Sequence, residues 1–146
     1  MSHVLHPVTL QLPATLNSLT TLGHALRDFL TPLHLSEGWI YPLDLALCEA
    51  ASNVIRHAYR DDAGKSYRVS FAGDAQGITV TLYDSGLPVP EEKLQQGAPT
   101  GEDWPDAMSE GGRGWPLIFA SVDSVHYQRG AEENQLTLWR ALPPGH

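Results

Sequence analysis

Glu49-Ala-Ala-Ser-Asn53-Val-Ile-Arg-His57-Ala-Tyr59 sets a carboxylate, a carboxamide and an imidazole at every fourth residue of an otherwise apolar stretch. Four residues turn an α-helix by about 400°, so the three side chains stack on nearly one face, drifting by roughly 40° per step. Ala46, Leu47, Ala50, Val54, Ile55 and Ala58 fill most of the remaining surface. Such a helix is buried, and buried polar groups need partners. The row can be a solvated face or a hydrogen-bond seam between helices. Alternatively, Glu49 can orient or deprotonate a hydroxyl while the Asn53 amide oxygen holds a hard cation, which is what phosphoryl transfer from a magnesium nucleotide requires.

Outward from this helix the chain alternates between two periods. Residues 4–12 are rich in β-formers and read as a first strand that Pro13 closes. Residues 15–30 carry Leu16, Leu19, Leu22, Leu26, Phe29 and Leu30 at helical spacing. Pro42 suits the first turn of the second helix, and Asp44 favours the positive end of its dipole. Residues 66–72 and 77–83 are strand-like and joined by a turn, which predicts a hairpin. From Pro88 to Gly112 the chain is crowded with Gly, Pro, Gln, Asp and Glu, the composition of a lid, a binding loop or a disordered segment. Residues 115–122 predict a short helix with Pro116 in its first turn, and residues 124–129 and 135–141 a closing pair of strands. This order predicts a single α+β domain over residues 1–146, a sandwich of a mainly antiparallel sheet with helices on one face.

Composition narrows the function. At 146 residues and 42% hydrophobic, the chain can bury one sizeable core. A formal charge of −8 without a Lys/Arg cluster argues against a nucleic-acid surface. No apolar run approaches the ~20 residues of a membrane span, and no signal region opens the chain, so a cytoplasmic protein is expected. The seven histidines show no paired ligand spacing, and the single cysteine, Cys48, reads as a small core residue.

Two further motifs follow the helix. Asp84-Ser-Gly86-Leu-Pro88 ends a strand: the carboxylate can accept from an exocyclic amine such as that of adenine, and Gly86 leaves room for a flat ring, although a plain strand-ending turn has the same residues. Gly111-Gly112-Arg113-Gly114 precedes the helix of Trp115, where backbone N–H groups can cradle a phosphate or the glycines can serve as a hinge. Arg113 can reach a phosphate or stand solvated.

In this order, Glu49-x-x-x-Asn53-x-x-x-His57-Ala58-Tyr59, Asp84-x-Gly86-x-Pro88 and Gly111-Gly112-x-Gly114-x-x-Leu117-Ile118 resemble the anti-sigma-factor serine kinases of the RsbW and SpoIIAB type, within the GHKL superfamily of ATPases and kinases. The resemblance implies a Bergerat-type fold that binds ATP or ADP with Mg²⁺. It implies a protein serine kinase that sequesters a sigma factor and phosphorylates a serine of a STAS-type antagonist, as a homodimer and with no direct contact to nucleic acid or membrane. Glu49 is then the general base, Asn53 the Mg²⁺ ligand, Asp84 and Gly86 the adenine site, and Gly112, Arg113 and Gly114 the phosphate contacts under a lid at 88–112. His57 and Tyr59 are structural, packing the end of the helix. Trp115-Pro116 replaces the small apolar pair usual after the last glycine, and stiffens the start of that helix. The alternative is a non-catalytic module that binds nucleotide and partner. Retention of both Glu49 and Asn53 favours the enzyme.

Overall fold

The computed structural model describes residues 5–95 and 114–145. Five strands, β1 (Val8–Pro13), β2 (Ser66–Gly73), β3 (Gly77–Asp84), β4 (Ser124–Gln128) and β5 (Asn134–Ala141), form one sheet of order β1-β2-β3-β5-β4. Every neighbouring pair is antiparallel. The helices are α1 (Ser18–Leu30), α2 (Glu37–Asn53), a one-turn α3 (Glu91–Leu94) and α4 (Gly114–Ser121). Among the described residues no helix is long and apolar enough to cross a membrane.

Period-two alternation makes the sheet two-sided. Val69 and Phe71 of β2, Val80 and Leu82 of β3, and Leu136 and Leu138 of β5 are buried and sit side by side in register. The helices cover this face with Leu22, Leu26, Leu30, Leu43, Leu47 and Ile118, all buried. Thr79, Tyr83, Thr137 and Trp139 point the other way and are only half-buried. The predicted α+β sandwich with helices on one face is thus the architecture observed.

Three local expectations shift. The first strand begins at Val8, not at residue 4, because its pairing with β2 starts at Val8 opposite Phe71. Helix α2 begins at Glu37, since Ser36 Oγ accepts from the Trp39 N–H at 3.2 Å and caps it. Pro42 therefore lies more than a turn inside the helix. The carbonyl it cannot serve belongs to Gly38, which is exposed and open to water. Asp44 lies beyond the reach of the helix N-terminus and pairs instead with Arg27 of α1 at 2.6 Å, while Glu37 takes the other side of the same guanidinium at 2.8 Å. Hydrogen bonds to both carboxylates raise the Arg27 pKa, so the guanidinium that joins α1 and α2 keeps its charge. The segment expected as loop after Pro88 also contains α3, with two acidic residues in its first turn and Lys93 in its last, as the helix dipole favours.

The end of α2 matters most for the site. Residues Val54–Ala58 form a π turn, with the Tyr59 N–H reaching back to Val54 O at 2.9 Å. The wider turn changes the backbone phase after Asn53, yet His57 still lines the same cavity as Asn53. The chain leaves through Arg60 and Asp61, both left-handed at φ 51° and 60°. This uncommon conformation for non-glycine residues is held by the Asp61 N–H on Ile55 O at 2.8 Å.

Candidate functional site

Glu49 and Asn53, one turn apart on α2, meet the first described residue of α4. A Cβ built on Gly114 would lie 3.5 Å from Glu49 Oε2 and 3.5 Å from both Asn53 Oδ1 and Nδ2. The bare glycine thus brings the start of α4 into contact with both side chains. Asn53 Nδ2 is buried and has no hydrogen-bond partner among the described residues. A buried amide donor without a partner costs free energy, about 1–3 kcal/mol. That cost is removed when an acceptor, such as a phosphate oxygen, enters the site.

Asn53 also lines a cavity of about 230 Å³ that reaches to Asp84 at the end of β3. Its apolar lining includes Ala50, Val54, Leu87, Trp115 and Leu136. These are the flat apolar surroundings that a purine needs, with few polar groups to orient it. Asp84 is only 7% exposed. Its Oδ1 accepts from the Gly86 N–H at 2.9 Å and from Asn134 Nδ2 at 3.1 Å. Burial pushes its carboxyl pKa up, and these two hydrogen bonds oppose the shift.

Gly86 is needed for a different reason from the expected one. A Cβ there would lie 2.6 Å from the Ala58 carbonyl carbon, and closer still to its oxygen. That same oxygen accepts from the Leu87 N–H at 2.9 Å. The glycine lets the loop after β3 lie directly on the π turn, and its space is filled by Ala58 rather than left for a ring. Tyr59 completes the junction: its hydroxyl donates to Ser66 O at 2.7 Å and accepts from the Ser85 N–H at 2.8 Å. Its structural reading holds, whereas His57, expected to pack the helix end, is exposed and lines the cavity.

Beyond Gly86 the chain is tied down again at Val89, whose N–H donates to the Tyr127 hydroxyl at 2.9 Å and whose carbonyl accepts from Arg129 at 2.6 Å. Tyr127, Lys93, Trp115 and Asn134 belong to the site's surroundings, and sequence reasoning did not find them. For α3, the Pro90-Glu-Glu-Lys run was a usable signal. Asn134 carried none beyond being polar at the start of a strand. Gly112, Arg113 and all of the 88–112 lid beyond Gln95 lie outside the described residues.

The donor set suits a magnesium nucleotide. Mg²⁺ prefers a few hard oxygens from protein with the rest from phosphates and water, and Asn53 Oδ1 is such an oxygen, beside an amide donor that has no partner among the described residues. Asp84 lines the same cavity and offers a carboxylate acceptor there.

The sequence pattern of the histidine kinase-like ATPase domain fits residues 12–140. Among curated relatives, the serine-protein kinase RsbW of Bacillus subtilis (strain 168) is 31% identical over 91 residues, covering 61% of this chain and 57% of the relative. RsbW of Oceanobacillus iheyensis is 32% identical over 88 residues, covering 59% and 56%. The chain thus spans little more than half the length of these relatives. Among solved structures, the RsbU and RsbW domains of a Mycobacterium tuberculosis protein superpose with a TM-score of 0.61 at 22% identity, over 94% of this chain and 33% of that one. The SiaB–SiaC complex from Pseudomonas aeruginosa gives 0.65 at 14% identity, over 90% and 88%. At these identities the superpositions speak for the fold.

Proposed function

The chain belongs to the histidine kinase-like ATPase domain family, and on that premise we propose that it is an ATP-dependent protein serine kinase of a partner-switching system. In this reading it phosphorylates a serine of a STAS-type antagonist, sequesters a sigma factor, and works as a homodimer. The observation that carries the reading is a single cavity lined by both Asp84 and Asn53, the latter beside Glu49 and Gly114.

Asp84 accepts from the exocyclic amine of adenine, and the apolar walls exclude water from the ring. Asn53 Oδ1 would hold Mg²⁺, and its Nδ2 would be free to donate to a phosphate oxygen. Bound ATP with Mg²⁺ supplies the transferable phosphoryl group and the charge neutralisation that its transfer needs. Glu49 would orient the incoming serine hydroxyl and accept its proton as the serine O–P bond forms and the bond to the leaving ADP breaks. Gly114 lies against Asn53 and Glu49, on the side where the phosphates would be held.

The test is incubation of the chain with ATP, Mg²⁺ and a STAS-domain protein encoded beside it, with mass spectrometry of the product. Phosphoserine on the STAS protein supports the reading. Its absence, while a sigma factor is still bound, replaces the kinase with a binding module.

A further inference from the structure

Asn134 opens β5 directly opposite Asp84 and is 4% exposed. Its Nδ2 donates to Asp84 Oδ1 at 3.1 Å and to Gly86 O at 3.0 Å. One amide group therefore bridges the carboxylate and the loop that follows it. With the Gly86 N–H on the same atom at 2.9 Å, Oδ1 accepts two protein donors. The acceptor capacity left for a ligand is then chiefly that of Oδ2, on a side chain that lines the cavity.

We propose that Asn134 is the positioning residue that makes this pocket read an amino group. By holding Asp84 Oδ1 and Gly86 O together, it keeps the carboxylate an acceptor and leaves Oδ2 to the base. The pocket then takes a 6-amino purine and refuses a 6-oxo purine. This inference rests on the nucleotide reading of the Asp84 cavity.

Two opposed forces act on the Asp84 proton. Burial raises the pKa, and the hydrogen bonds from Asn134 and Gly86 lower it; Glu133 adds a smaller push in the direction of burial. Without the Asn134 donor, burial gains and the carboxyl takes up a proton at higher pH. A protonated carboxyl donates, so it loses the amine and gains a 6-oxo group. The other charged or titratable groups around it are Glu133 just before β5, engaged by Arg68 of β2 at 2.7 Å, Tyr127 on β4, His57 of the π turn and Lys93 of α3. All of these are common to wild type and to Asn134 variants, so the difference between proteins isolates Asp84.

The experiment titrates the full chain with ATP and with inosine triphosphate, each with Mg²⁺, by calorimetry across pH. In parallel, ¹³C NMR follows the Asp84 carboxyl in nucleotide-free protein. Wild type should prefer ATP throughout. In Asn134→Leu the Asp84 midpoint should rise by about one unit or more, and the preference for ATP should fall about tenfold as the pH is lowered. Asn134→Asp, close in shape and so the safer fold, should reverse the slope: it can donate while the pair shares a proton, and it repels Asp84 once both ionise. An unmoved Asp84 midpoint in the variants, or an unchanged ATP preference, overturns the proposal. If wild type binds neither nucleotide, the nucleotide reading fails and the claim of base selection falls with it. The carboxyl titration then separately shows whether Asn134 controls Asp84.

Discussion

Asp84→Asn should separate stability from function. The amide presents an NH₂ group where adenine needs an acceptor, so nucleotide affinity should fall by about 1–3 kcal/mol in calorimetry. The fold should not suffer, because the variant loses a buried charge and keeps an oxygen for Asn134 and Gly86. The pH dependence follows from the upward shift of the Asp84 pKa. Between the unfolded value and the raised folded value, the native state keeps a proton that the unfolded chain has lost. Wild-type stability from this group therefore declines as pH rises through that window and is level above it. Melting curves across the window should show Asp84→Asn gaining on wild type as pH rises; a difference that is flat with pH contradicts the shift. Gly86→Ala tests the neighbouring contact. Its methyl group must displace the Ala58 carbonyl, so a loss of about 1–3 kcal/mol is expected in denaturant unfolding, as for other overpacked sites.

Between elements, Tyr59 is the joint: one hydroxyl ties the end of the π turn to β2 and to the residue after Asp84. Tyr59→Phe leaves the Ser66 carbonyl and the Ser85 N–H without this partner, and should cost about 1–3 kcal/mol by urea unfolding. The elements themselves were largely legible, because alternation in β2, β3 and β5 and the apolar stripe of α1 follow from which face is buried. The start of α2 was misplaced because Pro42 looked like a first-turn residue, whereas the Ser36 cap set the boundary. The π turn was not legible, since fourfold spacing in sequence assumes an α-helix that continues. Glu49, Asn53 and Asp84 could be singled out because their chemistry is unusual for apolar surroundings. Asn134 could not, because its partners are set by strand register across the sheet, some fifty residues away in sequence.

For the whole molecule, the account requires that nucleotide and fold support one another. A ligand bound only by the native state stabilises it by about 2.7 kcal/mol at a hundredfold excess over Kd. The melting temperature should therefore rise with ATP and Mg²⁺, and the rise should shrink in Asn53→Ala when Mg²⁺ is present. Equal protection of wild type and Asn53→Ala by the magnesium nucleotide would remove Asn53 from the metal site. The central claim is a division of labour on one helix, with Glu49 acting on the acceptor hydroxyl and Asn53 on the metal. Its most direct test is single-turnover phosphoryl transfer from ATP to the serine of the STAS-type partner, comparing wild type with Glu49→Gln at saturating nucleotide. The account predicts unchanged ATP and partner binding with transfer slowed by about 10²-fold or more; transfer by Glu49→Gln at the wild-type rate would contradict it.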